Sequence, residues 1–177
     1  MTLDPNDARA LALSGHVRAF LGRAAEQGIA LHQRALLLNP SLPIAWAFLG
    51  LANCYVGRHD DAVRQIGEAR RLSPFDPHGF FFEMALMVSH MLKRDHETAL
   101  RVGLRAIELN AGFSSSYKGV LSILGHLGRK TEAAEILKRL LQLEPKFTLA
   151  QAISRSPILQ PDDLAYYAEG LRLGGLT

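Results

Sequence analysis

Apolar residues in this chain fall at helical spacing, and the helices they predict come in pairs. Trp46 and Leu49 lie three apart on one face of a first predicted helix. Ala62, Ile66, Ala69 and Leu72 form a buried stripe on a second. Gly50 and Ala62 are small where the two helices cross, which permits a close approach. Pro74 cannot extend the second helix, so the chain turns there. An apolar run over residues 80–88, interrupted by Glu83, predicts an over-long first helix in the next pair. It is far short of the roughly 20 residues a membrane helix needs, and reads as core. Near the end, Leu164, Tyr167 and Leu171 recur at i, i+3 and i+7 and predict one last amphipathic helix.

The paired pattern repeats. Leu3-Asp4-Pro5, Leu38-Asn39-Pro40, Leu72-Ser73-Pro74, Leu109-Asn110-Ala111 and Leu143-Glu144-Pro145 echo one another, with their third residues 35, 34, 37 and 34 positions apart. A step of about 34 is the signature of a helix-turn-helix solenoid, in which each unit buries its apolar face by stacking on its neighbours.

The phrase Trp46-x-x-Leu49-Gly50-x-x-Asn53, then Ala62-x-x-x-Ile66-x-x-Ala69, then Pro74, resembles the tetratricopeptide repeat. Leu11, Gly15, Ala35, Leu36 and Pro40 fit a first repeat, with Gly28 at the second-helix alanine place. Ala99, Ala106, Ile107 and Leu109 fit a third, which carries three extra residues. Tyr117, Gly128, Ala133, Leu137 and Pro145 fit a fourth, with Leu121 at the small-residue place held by Gly50. With Met84 or Met87 near the crossing of the third repeat and Leu121 in the fourth, those helix pairs are expected to sit further apart than the second. The resemblance implies an all-α, right-handed α-α superhelix of about four helix pairs plus a C-terminal capping helix. Residues 1–7 read as the end of a truncated upstream repeat, 8–147 as the solenoid (8–42, 43–76, 77–113 and 114–147) and 148–177 as a capping segment. Leu3-Asp4-Pro5-Asn6 has the form of a last repeat turn, which predicts further sequence upstream.

In the tail, Pro157 and Pro161 punctuate a loop, Asp162 and Asp163 offer negative charge to the start of the last helix, and Gly174-Gly175 stops it. The stripe of Leu164, Tyr167 and Leu171 is expected to cover the second helix of the fourth repeat, near Leu137 and Leu141. The phrase Phe147-Thr148-Leu149-Ala150, Pro157 and Tyr167-x-x-Gly170-Leu171-Arg172-x-Gly174-Gly175-Leu176 is similar to the ending of tetratricopeptide regions in bacterial, rhizobial-type regulators. In those proteins an adenylate or guanylate cyclase domain, or a winged-helix domain, precedes the repeats.

Composition adds bounds. The chain is 48% hydrophobic and 21% charged, with a net charge of +3. The basic residues are spread over every repeat, so solvated faces are favoured over a nucleic-acid stripe. A single Cys54 excludes an internal disulfide and paired-cysteine zinc patterns and fits a reducing cytoplasm, and the N-terminus shows no signal peptide. The seven histidines include no pair at i, i+4 and no His-Glu-x-x-His. His59 and His96 occupy equivalent turn places and read as packing residues. Ser115-x-x-Lys118 has the spacing of a serine-lysine nucleophile but no accompanying motif. No catalytic residue, cofactor or metal ligand is identified.

The resemblance implies a concave groove lined by the first helices of the repeats. The corresponding places are Arg9, Ala12, His16 and Phe20; Ile44, Ala47, Leu51, Cys54 and Tyr55; Phe81, Met84 and Val88; and Ser115, Lys118, Ser122 and His126. Its apolar centre suits an amphipathic helix or hydrophobic peptide of a partner protein. An upstream domain, a second copy in a homodimer, or the chain's own C-terminal helix are the other occupants. The expected function is a non-catalytic protein-interaction region of a cytoplasmic bacterial regulator. Two alternatives stay open: a nucleic-acid-binding helical repeat, or the repeat region of a nucleotide cyclase or glycosyltransferase.

Overall fold

A computed structural model describes residues 6–177; the first echo, Leu3-Asp4-Pro5, lies outside the described residues. Among the described residues ten α-helices follow in order: α1 (Ala8–Phe20), α2 (Ala25–Leu38), α3 (Pro43–Tyr55), α4 (His59–Leu72), α5 (Gly79–Leu92), α6 (His96–Leu109), α7 (Ser114–His126), α8 (Lys130–Leu143), α9 (Leu149–Arg155) and α10 (Pro161–Leu173). Helices α1 to α8 form consecutive antiparallel pairs. The first helices α1, α3, α5 and α7 contact one another in series and make the inner wall, while α2, α4, α6 and α8 stand outside them.

The described echoes all do the same work. Leu38, Leu72, Leu109 and Leu143 are the last residues of the outer helices. The next residue (Asn39, Ser73, Asn110 or Glu144) leaves helical geometry at φ −143°, −143°, −151° or −131°, while its N–H still donates to the carbonyl four residues back. The following inner helix is tied to its echo. The Trp46 indole N–H donates to Pro40 O at 2.9 Å, and the Tyr117 hydroxyl to Ala111 O at 3.0 Å. Side-chain caps add local support: the Asp7 carboxylate accepts from Arg9 N and Ala10 N, and Asp95 from Thr98 N.

Glycines set the closest crossings. A Cβ on Gly50 would stand 2.5 Å from Ile66 Cγ1 and 3.0 Å from Ala62 O, as the sequence pattern requires. In the third pair Met87 does not act as a spacer. Its side chain sits over Gly103 of α6 and Gly119 of α7, and a Cβ on Gly103 would lie 2.6 Å from its sulfur. The small residue has moved from the inner helix to its neighbours, and α5 packs on α6 about as extensively as α3 on α4. Helix α8 packs more thinly on α7.

The C-terminal segment departs from expectation. Helix α10 lies on α7, along the inner wall beside α5 and α9; its side chains reach His59 of α4 and His96 of α6, and the turn after it approaches Leu137 of α8. The stripe of Leu164, Tyr167 and Leu171, expected to cover α8 near Leu137 and Leu141, thus lies on a helix set against the inner wall, and it is Gly175 in the turn beyond that comes near Leu137. What faces α7 is the smaller side of α10, around Gly170 and Gly174, because only there can two helix backbones meet.

Candidate partner-binding groove

The inner wall divides the expected groove residues into four groups. Ala12, Ala47 and Cys54 are fully buried between helices, and Arg9 is exposed at the start of α1. His16, Ile44 and Phe81 border an open cleft of about 470 Å³, joined there by Phe48, Phe80 and Phe113. Phe20, Leu51, Tyr55, Met84 and Ser115 line both this cleft and a second cavity of about 480 Å³, to which Val88, Lys118 and Met91 also contribute. Ser122 and His126 lie under α10. Ser122 is fully buried there.

The open cleft is aromatic. His16 stacks on Phe48 with ring centroids 4.1 Å apart, Phe48 meets Phe81 edge-on at 5.6 Å, and Phe80 meets Phe113 at 5.1 Å. Behind it His32 is fully buried between α1 and α2 with neither ring nitrogen hydrogen-bonded. Burial lowers the pKa of both His16 and His32 to about 4, so both are neutral near pH 7.

The second cavity is roofed by the chain itself. After α9 the segment 156–160 crosses the inner wall, with Ile158 buried, Leu159 N–H donating to Tyr55 O at 2.9 Å, and the Gln160 side chain donating to Val56 O at 3.0 Å. Helix α10 then returns along α7. The Ser122 hydroxyl donates to Tyr167 O at 3.0 Å and His126 Nε2 to Tyr166 O at 2.9 Å. The Tyr166 ring is sandwiched between the His126 ring at 3.8 Å and the Arg94 guanidinium at 3.4 Å, and its hydroxyl meets His96. Asp163 is paired with His59 at 2.9 Å and Arg94 at 3.5 Å. Burial, reinforced by the neighbouring His126 and Arg94, lowers the His96 pKa.

The turns inside the helix pairs carry the signal that anchors this tail. Each pair places a residue in the left-handed region at the same turn: Arg23 (φ 50°), Gly57 (φ 85°), Arg94 (φ 66°) and Gly128 (φ 66°). Glycine suits that backbone, and arginine strains it. Both arginines reach the tail, Arg23 donating to Ser154 O and Arg94 holding Asp163 and Tyr166. Alignment of the repeats on their turn glycines exposes the exchange of Gly for Arg in the first and third. His59 and His96, read as packing residues, pack forward onto α10.

One arrangement has the order of a nucleophilic triad: Cys54 Sγ lies 3.8 Å from His59 Nδ1, whose Nε2 meets Asp163. It is not poised for attack. Cys54 is fully buried, lines neither cavity, and burial pushes its thiol up to about 12. Lys118, of the Ser115-x-x-Lys118 pair, is engaged by Glu144 at 2.6 Å and lies over the Phe147 ring. Among the described residues no cluster of three or more His, Cys, Asp or Glu is arranged to hold a metal, and no helix is long and apolar enough to cross a membrane.

No protein-family model matches the chain, and no curated protein matches it. Solved structures do. PilF of Pseudomonas aeruginosa superposes with a TM-score of 0.69 at 16% identity, covering 93% of this chain and 74% of that one. MamA of Desulfovibrio magneticus RS-1, residue 41 to its end, gives 0.64 at 17% identity, covering 80% of this chain and 77% of that one. YrrB, a tetratricopeptide-repeat protein with an unusual peptide-binding site, gives 0.60 at 17% identity, over 97% of this chain and 86% of that one. The chain therefore has the tetratricopeptide-type α-α superhelical fold.

Proposed function

We propose that this chain is a non-catalytic interaction scaffold that binds an extended, apolar segment of a partner protein in the cleft between α1, α3 and α5. The observation that supports this most is the chain's own segment 156–160. It lies extended against the same wall, buries Ile158, and donates a main-chain hydrogen bond from Leu159 N–H to Tyr55 O. The open cleft continues that track through shared Leu51, Tyr55 and Met84 and ends in an aromatic rim. Extended peptides gain affinity from main-chain bonds and selectivity from such pockets. The peptide-binding site of YrrB, a protein of the same fold, agrees with the reading. Within it, residues 8–147 supply the wall and 148–177 the roof, and the tail phrase supports a bacterial multidomain regulator as the setting.

Extended dodecapeptides selected against the full-length chain by phage display test the proposal. Selected peptides bind the native chain, and Phe81→Glu or Met84→Glu weakens them at least tenfold. Leu104→Glu, on the outer helix α6, leaves binding intact. Equal affinity for all variants would exclude the cleft.

A further inference from the structure

Helix α10 fills half of the inner wall, and the way it does so describes a lock and its key. On α7, Gly125 has no side chain because a Cβ there would run into the Gly170 carbonyl and stand 2.7 Å from Gly174 N. Gly170 in turn has none because a Cβ would run into Ser122, and one on Gly174 would lie 2.8 Å from Leu121 O. The rest of the grip is polar. Ser122 and His126 donate to the carbonyls of Tyr167 and Tyr166, and Arg94 and His59 hold Asp163. Asp163, Tyr166, Gly170 and Gly174 thus present a carboxylate, an aromatic ring and two small residues on one helix face, at i, i+3, i+7 and i+11.

Several features mark this as a seat for a helix that can leave, although Leu171 of α10 is fully buried in it. Beyond α7, α9 and a little of α5, α10 reaches the outer helices α4 and α6 at their first residues, His59 and His96. The cavity of about 480 Å³ shows that tail and wall do not close together. Arg94 holds a strained backbone, and its side chain makes contacts to Asp163 and Tyr166 that exist only while α10 is seated. The segment 156–160 is an extended tether without helical bonds of its own.

We propose that α10 is a ligand held in cis, and that the α7 face around Ser122, Gly125 and His126 is a docking site for a partner helix bearing the same carboxylate, aromatic, small, small pattern. The partner displaces α10. This rests on the interaction-scaffold reading and names a second partner for the same wall. The cis helix competes at the high effective concentration its short tether confers, so only a matching helix, or a loosened tail, opens the seat.

A fluorescein-labelled peptide of residues 156–177 is the probe, titrated against the full-length chain and two full-length variants. Asp163→Ala removes the tail's own carboxylate and leaves Arg94 and His59 in place for the probe, so it loosens the tail without altering the seat. Gly170→Leu evicts the tail sterically, with folding checked by circular dichroism. The probe binds Asp163→Ala at least tenfold tighter than the native chain, and Gly170→Leu tighter still if that variant folds. A probe that itself carries Gly170→Leu binds none of them. Failure of the native probe to bind Asp163→Ala more tightly than the native chain, or indifference to glycine in the probe, overturns the proposal. Dimers of Asp163→Ala in light scattering without added probe overturn it in favour of tail exchange between two copies. Loss of peptide binding at Phe81 and Met84 alone bears on the open cleft and leaves this test intact.

Discussion

The two halves of the inner wall face opposite demands with different residues. Around α1, α3 and α5 the wall is built from rings, His16, Phe48, Phe80 and Phe81, and stays open. Around α7 it is built from Ser122 and Gly125, and a helix backbone lies against it. Bulky side chains hold neighbouring backbones apart and leave a cleft between them. Small ones let a helix approach until main-chain carbonyls become hydrogen-bond partners. The same repeat thus yields a groove for an extended chain at one end and a seat for a helix at the other.

Acid distinguishes the halves most strongly. His32 and His16 stand behind the open half with their pKa values lowered to about 4. A histidine whose folded pKa is depressed stabilises the fold fully above its unfolded value of about 6.5, and that contribution is lost as pH falls toward 4. For fully buried His32 it is on the order of 3 kcal/mol. Thermal melts from pH 7 to 4 are expected to show α1 and α2 loosening first, and His32→Met is expected to flatten the decline. An equal slope in His32→Met would place the acid sensitivity elsewhere.

Gly125→Leu attacks the other half. The new side chain enters the space of the Gly170 carbonyl, so overpacking costs about 1–3 kcal/mol and residues beyond α9 become susceptible to limited proteolysis. Gly67→Leu, exposed within α4 where a Cβ would meet nothing within 4 Å, leaves the cleavage pattern unchanged and holds or raises the melting temperature, since glycine is a poor helix former. Similar behaviour of the two variants would remove the distinction between a closed and an open glycine.

A smaller effect is expected from Arg94→Gly. Relief of the left-handed strain, about 1 kcal/mol, offsets loss of the stacked guanidinium on Tyr166, worth about 0.5–1 kcal/mol where partly exposed. The melting temperature should move little while hydrogen exchange in α10 accelerates. A large drop in melting temperature would mean that α10 is part of the solenoid's own stability.

The repeat was legible because its signals are local. Each described echo ends an outer helix, and Trp46 and Tyr117 bond back to the turn that precedes them, all within six residues. The compensation at Met87 was not, because it depends on Gly103 and Gly119 in two other helices. The tail's path was open in the sequence, where its helix stood as one of several occupants of the groove and also as a cover for the fourth repeat's outer helix. Gly170 and Gly174 read as a flexible ending until Gly125 stands opposite them, and Leu164, Tyr167 and Leu171 gave an apolar stripe without saying which wall it would meet. The exchange of turn glycine for Arg23 and Arg94 was present in the sequence, but its purpose shows only in their contacts with residues 154–166. Of the expected groove residues, those in α1, α3 and α5 border the open cleft, and Ser122 and His126 hold the tail.

The central claim is that the C-terminal helix lies on α7 inside the concave wall. Proton NMR measures it directly in the unmodified chain, because the His126 and Tyr166 rings stack with centroids 3.8 Å apart. Strong nuclear Overhauser cross-peaks between these two ring systems, accompanied by contacts from Gly170 to Ser122, are the expected result. Contacts from Leu164 and Tyr167 to Leu141 of α8, with none between His126 and Tyr166, would contradict it.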